Sequence, residues 1–188
     1  MNQKVAIEFI ADVSYKNISK LFSLIEREID KGINDFILFI SSHGGDTYVG
    51  LRSYNQLKLL SKKVKLTTYN LGFVESAAMN LYCAGEHRFA IPNSRFLFHQ
   101  SIVNYEKKSF SEMQLEEELN KLKSSNHTSI NIIVDNSNLI YEDAKKLYYT
   151  GTILKPEQAK EIGLVHNITD DIKSIIGTNY KIYTIENE

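Results

Sequence analysis

Cysteine, proline and tryptophan are scarce in this sequence: 188 residues hold one Cys, two Pro and no Trp. A single thiol, Cys83, cannot close an intrachain disulfide, so a disulfide-stapled secreted scaffold is excluded. No apolar stretch approaches the ~20 residues needed to cross a bilayer, which argues against membrane insertion. The opening residues MNQKVAIEF lack the charged start and apolar run of a signal peptide. A reducing cytoplasm is the expected location. An excess of either charge is also missing, with 22 Lys and Arg against 23 Asp and Glu. There is no basic field to favour nucleic acid and no acidic tail to favour disorder. The tyrosines lack the basic clustering that single-stranded nucleic acid would want. No His, Cys and carboxylate group has metal-ligand spacing, and no cofactor is expected. No repeat, low-complexity tract or linker divides the chain, so residues 1–188 are expected to form one domain.

What is present is alternation. Val5 to Ile10 is a short apolar run with β-branched residues, followed by Ile18, Leu21, Phe22, Ile25 and Ile29 at helical spacing up to Gly32. Phe36 to Ile40 is uninterrupted hydrophobic, as in a strand buried on both faces, and it leads into the loop SSHGGD. Val49, Tyr54, Leu57 and Leu60 mark a second helix and Val64 to Tyr69 a third strand, after which GFVES reads as a loop. This βαβαβα pattern predicts an α/β fold with a parallel sheet, with both loops at the carboxyl ends of strands, where sites in such sheets form. Further on, Arg88–Ile91 and Arg95–Gln100 read as strands around a Pro-Asn turn. A long helix is expected from a capping box at Ser109 and Glu112, with Met113, Leu119 and Leu122 on its apolar stripe. Shorter helices follow at Tyr141–Tyr149 and Pro156–Ile162, and Lys181–Ile185 reads as an edge strand.

Ser76 follows a strand and opens an apolar helix, AAMNLYCAG. It suits either an N-cap or a nucleophile, since free N–H groups and the helix dipole there favour negative charge. A serine hydroxyl needs a base within hydrogen-bond reach before it attacks a carbonyl. Five histidines are available: His43, His87, His99, His127 and His166. His99 ranks first because it ends a strand in the same half of the chain. The Ser42-His43-Gly44-Gly45 loop reads as a tight turn or as a source of backbone N–H groups for an oxyanion. Cys83 lies in the apolar helix about two turns beyond Ser76 and reads as a buried, inert thiol.

Taken together, FISSHGGD, GFVESAAMNLYCAG, RFAIPNSRFLFHQ and LKPEQAKEIGLV resemble, in order and spacing, the proteolytic-subunit (ClpP) family of the Clp protease, a serine peptidase family. The resemblance extends over most of the chain. It implies a ClpP/crotonase-like fold of repeated β-β-α and βαβ units with a protruding handle helix at about residues 101–134. Ser76 matches the nucleophile, His99 the general base, and Gly45 and Ala77 the residues whose N–H groups form the oxyanion hole. Ser101 to Tyr105 and the following helix match the handle through which rings of subunits stack. Implied with these are a homo-oligomeric ring or double ring, cleavage of unfolded chains or short peptides inside its chamber, and an ATP-driven unfoldase partner. The chain begins almost at its first strand, so the family's entrance-pore segment, part of that partner's docking surface, is expected to be missing.

Three positions depart from the family's pattern. The triad aspartate falls on Gly151, leaving the third role unassigned among Asp135, Asp143, Asp170, Asp171, Asn136 and Asn138. Glu75 stands where a small residue is usual and is expected to face solvent. His43 replaces a proline and is not expected to be catalytic. The working expectation is a Ser76–His99 dyad. The alternatives are a catalytically silent paralogue that builds or regulates a ring, and a crotonase-type acyl-CoA enzyme, against which the Gly-Gly and serine loops lack paired carboxylates.

Overall fold

Three long parallel strands carry the first half of the chain. In the computed structural model, which describes residues 3–105 and 109–187, β1 (Lys4–Ile10), β2 (Asp35–Ser42) and β3 (Lys65–Glu75) are joined by α1 (Tyr15–Asp30) and α2 (Thr47–Leu60). Helix α1 starts where the Ser14 hydroxyl accepts the Asn17 N–H, and its stripe of Ile18, Leu21, Phe22 and Ile25 is buried. Each such side chain contributes about 1.5–3 kcal/mol by leaving water. Gly32 then stops it at φ 87°, a conformation that costs glycine little.

Along β2 the side chains alternate between two cores. Phe36, Leu38 and Ile40 join the main cluster with α1 and α2. Ile37 and Phe39 face the other way, packing with Ala6, Tyr69 and Ile176. This is why the run reads as uninterrupted hydrophobic.

The remaining elements are α3 (Ala78–Cys83), β4 (His87–Ala90), β5 (Arg95–Leu97), α4 (Glu112–Asp135), α5 (Tyr141–Thr150), β6 (Ile153–Leu154), α6 (Pro156–Glu161), β7 (Asn167–Ile168), α7 (Ile172–Ile176) and β8 (Tyr180–Glu186). The sheet order is β6-β5-β3-β2-β1-β8, with β4 bridging β3 and β7. Strand β3 uses its outer edge twice, pairing with β4 over Thr67–Asn70 and with β5 over Phe73–Glu75. That second partner carries β3 through the segment expected to be a loop and ends it at Glu75.

Helix α4 begins with a capping box of Ser111 and Gln114 rather than Ser109 and Glu112. In its first half Met113, Leu115 and Leu119 stay exposed, whereas Asn126, Ile130 and Ile133 are buried. Residues 106–108 of the expected handle lie outside the described residues. Among the described residues no helix is long and apolar enough to cross a membrane.

The expected edge strand is present as β8, parallel to β1 over seven residue pairs. It is tied to α1 through Glu28, which is fully buried. Lys31 at 2.7 Å, Arg27 at 3.2 Å and the Tyr183 hydroxyl at 3.0 Å donate to Glu28 Oε1, and Lys181 lies 3.6 Å from Oε2. The Lys31 hydrogen bond is the largest influence and outweighs burial, holding the Glu28 carboxyl down at about 2.

Candidate active site

Ser76 sits at a sharp turn between β3 and α3. It is the only non-glycine residue with positive φ among the described residues, at φ 52°. A left-handed conformation costs an L-residue about 1–2 kcal/mol, so neighbouring structure must impose it. Two hydrogen bonds do so: the Ser76 N–H donates to Leu97 O at 3.0 Å, and its carbonyl accepts from Met79 N–H at 3.0 Å. The capping role does not hold, because Ala77 is the cap residue of α3 and no side chain caps that helix. Freed from capping, the half-buried Ser76 hydroxyl stands on a strand-turn-helix bend of the kind that presents nucleophiles.

The Gly-Gly loop closes over this bend. Gly44 has φ 95°, and a Cβ on it would lie 2.7 Å from Ser76 Cβ and 2.9 Å from Ala77 N. Only glycine permits so close an approach. The loop is strapped to the segment before α1 by Val13 N–H to Gly44 O at 2.7 Å and Asp46 N–H to Val13 O at 2.8 Å. Ser42 Oγ donates to Ala11 O at 2.6 Å and accepts the Gly44 N–H at 3.2 Å. Among the described residues no hydrogen bond engages the N–H of Gly45 or of Ala77. Two donors beside Ser76 therefore lack an acceptor, the condition an oxyanion would satisfy.

His99 lies two residues beyond the end of β5, which is shorter than expected. Its Nδ1 is 2.8 Å from the carbonyl oxygen of Gln100. A carbonyl only accepts, so Nδ1 carries the proton and Nε2 of the neutral ring holds the lone pair that a general base needs. The segment after His99 is anchored by the Ser101 N–H donating to Asn126 Oδ1 at 2.8 Å. Among the described residues no hydrogen bond joins the Ser76 hydroxyl to His99.

None of the carboxylates or amides considered for the third role hydrogen-bonds His99. Asp171 caps α7, Asn136 donates to the Tyr54 hydroxyl and Ile132 O, and Asn138 packs on Gly163. Gly151, where the carboxylate was expected, is the left-handed cap of α5 at φ 65°. It lies two residues before β6, which pairs antiparallel with β5 at Phe96↔Leu154 and Leu97↔Ile153, and His99 lies two residues after β5. Among the described residues nothing lies within 4 Å of where its Cβ would be.

Glu75 overturns the expectation that it faces solvent. Its side chain is 8% exposed, with Oε2 2.7 Å from His43 Nδ1 and Oε1 2.7 Å from Arg95 Nε. Burial raises the carboxyl's pKa, but the hydrogen bonds from His43 and Arg95 together outweigh it and leave Glu75 below its usual range. Phe73 forms the floor: the His43 ring stacks on it at 4.1 Å, and the Arg95 guanidinium lies 5.5 Å from its centroid. The other histidines lie elsewhere. His127 on α4 pairs with the Tyr141 hydroxyl of α5, while His166 accepts the Arg88 N–H and lies near His87.

Between the Gly-Gly loop and the segment after His99 runs a groove of about 190 Å³, lined by Gly45, Thr47, Tyr48, Ser101, Ile102 and Leu122, among others. A larger cavity of about 370 Å³ between α5, β6 and α6 includes neither Ser76 nor His99 in its lining. Sequence reasoning missed Val13, Arg95 and Asn126. Only Asn126 carried a signal, as an amide in the buried half of a long helix.

Residues 4–171 match the family model described as Clp protease. Over 168 residues, 88% of this chain and 81% of the relative, the sequence is 29% identical to ATP-dependent Clp protease proteolytic subunit 2 of Borreliella burgdorferi. Over 149 residues, 78% and 69% of the two chains, it is 25% identical to the ATP-dependent Clp protease proteolytic subunit of Bdellovibrio bacteriovorus. Among solved structures, a ClpP1 mutant from Listeria monocytogenes aligns with a TM-score of 0.75, covering 90% of this chain and 92% of that one at 21% identity, a likeness of fold.

Proposed function

The chain belongs to the Clp protease family, and on that premise we propose that it is a serine peptidase acting on unfolded chains or short peptides by a Ser76–His99 mechanism. Ser76 Oγ attacks the scissile carbonyl as His99 Nε2 takes its proton, and the Gly45 and Ala77 N–H groups receive the negative charge. His99 then returns the proton to the leaving amine, and water repeats the sequence on the acyl-enzyme. The observation that carries this reading is the strained turn at Ser76, held at φ 52° against a glycine loop. The substrate chain is assigned to the groove beside the Gly-Gly loop, which Gly45 lines and where the Thr47 and Ser101 hydroxyls lie 3.3 Å apart.

Self-association into a ring belongs to the same proposal. The exposed Ile102, Met113, Leu115 and Leu119 of the handle region give a second copy an apolar face to cover. The test is hydrolysis of a peptide panel by wild type and Ser76→Ala, with native mass measured in parallel. Wild type is expected to cleave and the variant to lose all turnover. A wild type that cleaves no peptide rejects the reading.

A second reading, a silent subunit that shapes a ring with an active relative, draws support from Gly151 and from the unlinked Ser76 and His99. It predicts that the native assembly contains another chain, whereas a self-sufficient peptidase assembles from this chain alone.

A further inference from the structure

We propose that Glu75 is a positioning residue that braces the oxyanion loop and strand β5 against the nucleophile turn. The inference rests on the reading of Ser76 as nucleophile. Three separate segments meet at one carboxylate: His43 from the loop after β2, Glu75 itself at the end of β3 directly before Ser76, and Arg95 from β5. Each carboxylate oxygen takes one donor, from opposite partners, both at 2.7 Å. The carboxylate is buried while the His43 and Arg95 side chains reach the surface, 65% and 49% exposed.

Such an arrangement differs from an ordinary surface ion pair. The donors share a platform, since His43 stacks on Phe73 within 19° of parallel and Arg95 lies over the same ring. A buried carboxylate with a charge-assisted bond at each oxygen has one geometry, and departure from it leaves a buried charge unpaired. His43 directly precedes Gly44, where a Cβ would collide with Ser76, and Gly45, whose N–H makes no hydrogen bond among the described residues. The Val13 strap fixes the loop from one side, and the Glu75 bond to His43 fixes it from another. Arg95, two residues before Leu97, holds the strand whose carbonyl bonds Ser76 N–H. One carboxylate thus sets the spacing between the nucleophile, the oxyanion donors and the strand leading to His99. Small displacements of such groups cost catalysis steeply.

The test compares wild type, Glu75→Gln, His43→Asn and the double variant by two readouts. The first is the labelling rate of Ser76 by a serine-directed phosphonate, with kcat and KM on a cleaved peptide. Each single variant is expected to lower labelling and kcat about 10- to 100-fold with little change in KM, because the braced groups act in the transition state. The double variant is expected to be as slow as the slower single, since both weaken the same bond. The second readout, amide hydrogen exchange at Val13, Gly44 and Asp46, needs no activity, and both variants are expected to speed it. If wild type does not label, the peptidase reading fails while exchange still decides the brace. Exchange and labelling at wild-type rates in both variants overturn it. So does recovery of the His43→Asn loss by adding Glu75→Gln, which assigns the pair to charge compensation. Should Glu75→Gln not fold, His43→Asn and Arg95→Lys carry the comparison.

Discussion

His99 stands two residues after β5 and Gly151 two residues before its antiparallel partner β6, and among the described residues nothing lies within 4 Å of where a Cβ on Gly151 would be. An aspartate at 151 would enter that open space from the chain segment beside the one that leads to His99, where a triad carboxylate orients the imidazole. At present the Gln100 carbonyl fixes the His99 tautomer but brings no negative charge to stabilise the imidazolium.

Gly151→Asp is therefore expected to raise kcat about tenfold or more, and Gly151→Ala to leave it unchanged. The left-handed φ of 65° makes both variants less stable, by about 1 kcal/mol. Steady-state kinetics with thermal melts checks both halves of this expectation.

Strain at Ser76 predicts a reversed stability order. In ordinary backbone, glycine is about 0.5–1 kcal/mol less stable than alanine. At φ 52° alanine keeps the strain and glycine releases it, so Ser76→Gly is expected to be the more stable of the two by about 1 kcal/mol. Both variants lose the hydroxyl and should be inactive. Denaturant melts of the pair measure the difference.

Gly44→Ala adds a methyl 2.7 Å from Ser76 Cβ and 2.7 Å from Glu75 O, at φ 95°. Backbone has to move, and the Gly45 and Ala77 N–H groups proposed as oxyanion donors move with it. The expected result is a loss of phosphonate labelling of 10²-fold or more, comparable in order of magnitude to deleting one oxyanion donor.

Glu28 sets an acid limit on stability. With its folded carboxyl at about 2 and its ordinary value at 4.5, the unfolded chain binds more protons between those values. Its contribution is thus complete above about pH 4.5 and disappears as pH falls towards 2. Glu28→Gln is expected to cost about 1.5–3 kcal/mol at pH 7 and to flatten the pH dependence of melting in that window. Melting curves from pH 7 to 2.5 on both proteins measure it.

Much of the fold was legible in local pattern. The apolar runs of β1 and β2, the stripe of α1 and the edge strand β8 follow from side-chain periodicity and lie where expected. Strand β3 runs past the expected end at Tyr69 because its last residues depend on pairing with β5, a contact 22 residues away in sequence at Phe73↔Arg95. The cap of α4 moved from Ser109 to Ser111 because two serines offer nearly the same signal, and the Gln114 side chain decided between them. At the site, position in the pattern pointed to Ser76 and His99, which no hydrogen bond joins among the described residues, and Glu75 is buried where solvent was expected. A carboxylate beside an apolar helix suggests solvent, and only the convergence of His43 and Arg95 from distant segments explains its burial.

The most direct test of the central claim is peptide mapping by mass spectrometry after exposure to a serine-directed phosphonate. The account predicts one adduct, on Ser76, formed by wild type, blocked by denaturation and slowed severely in His99→Gln. No adduct, or an adduct on Ser76 that forms equally fast without His99, contradicts it.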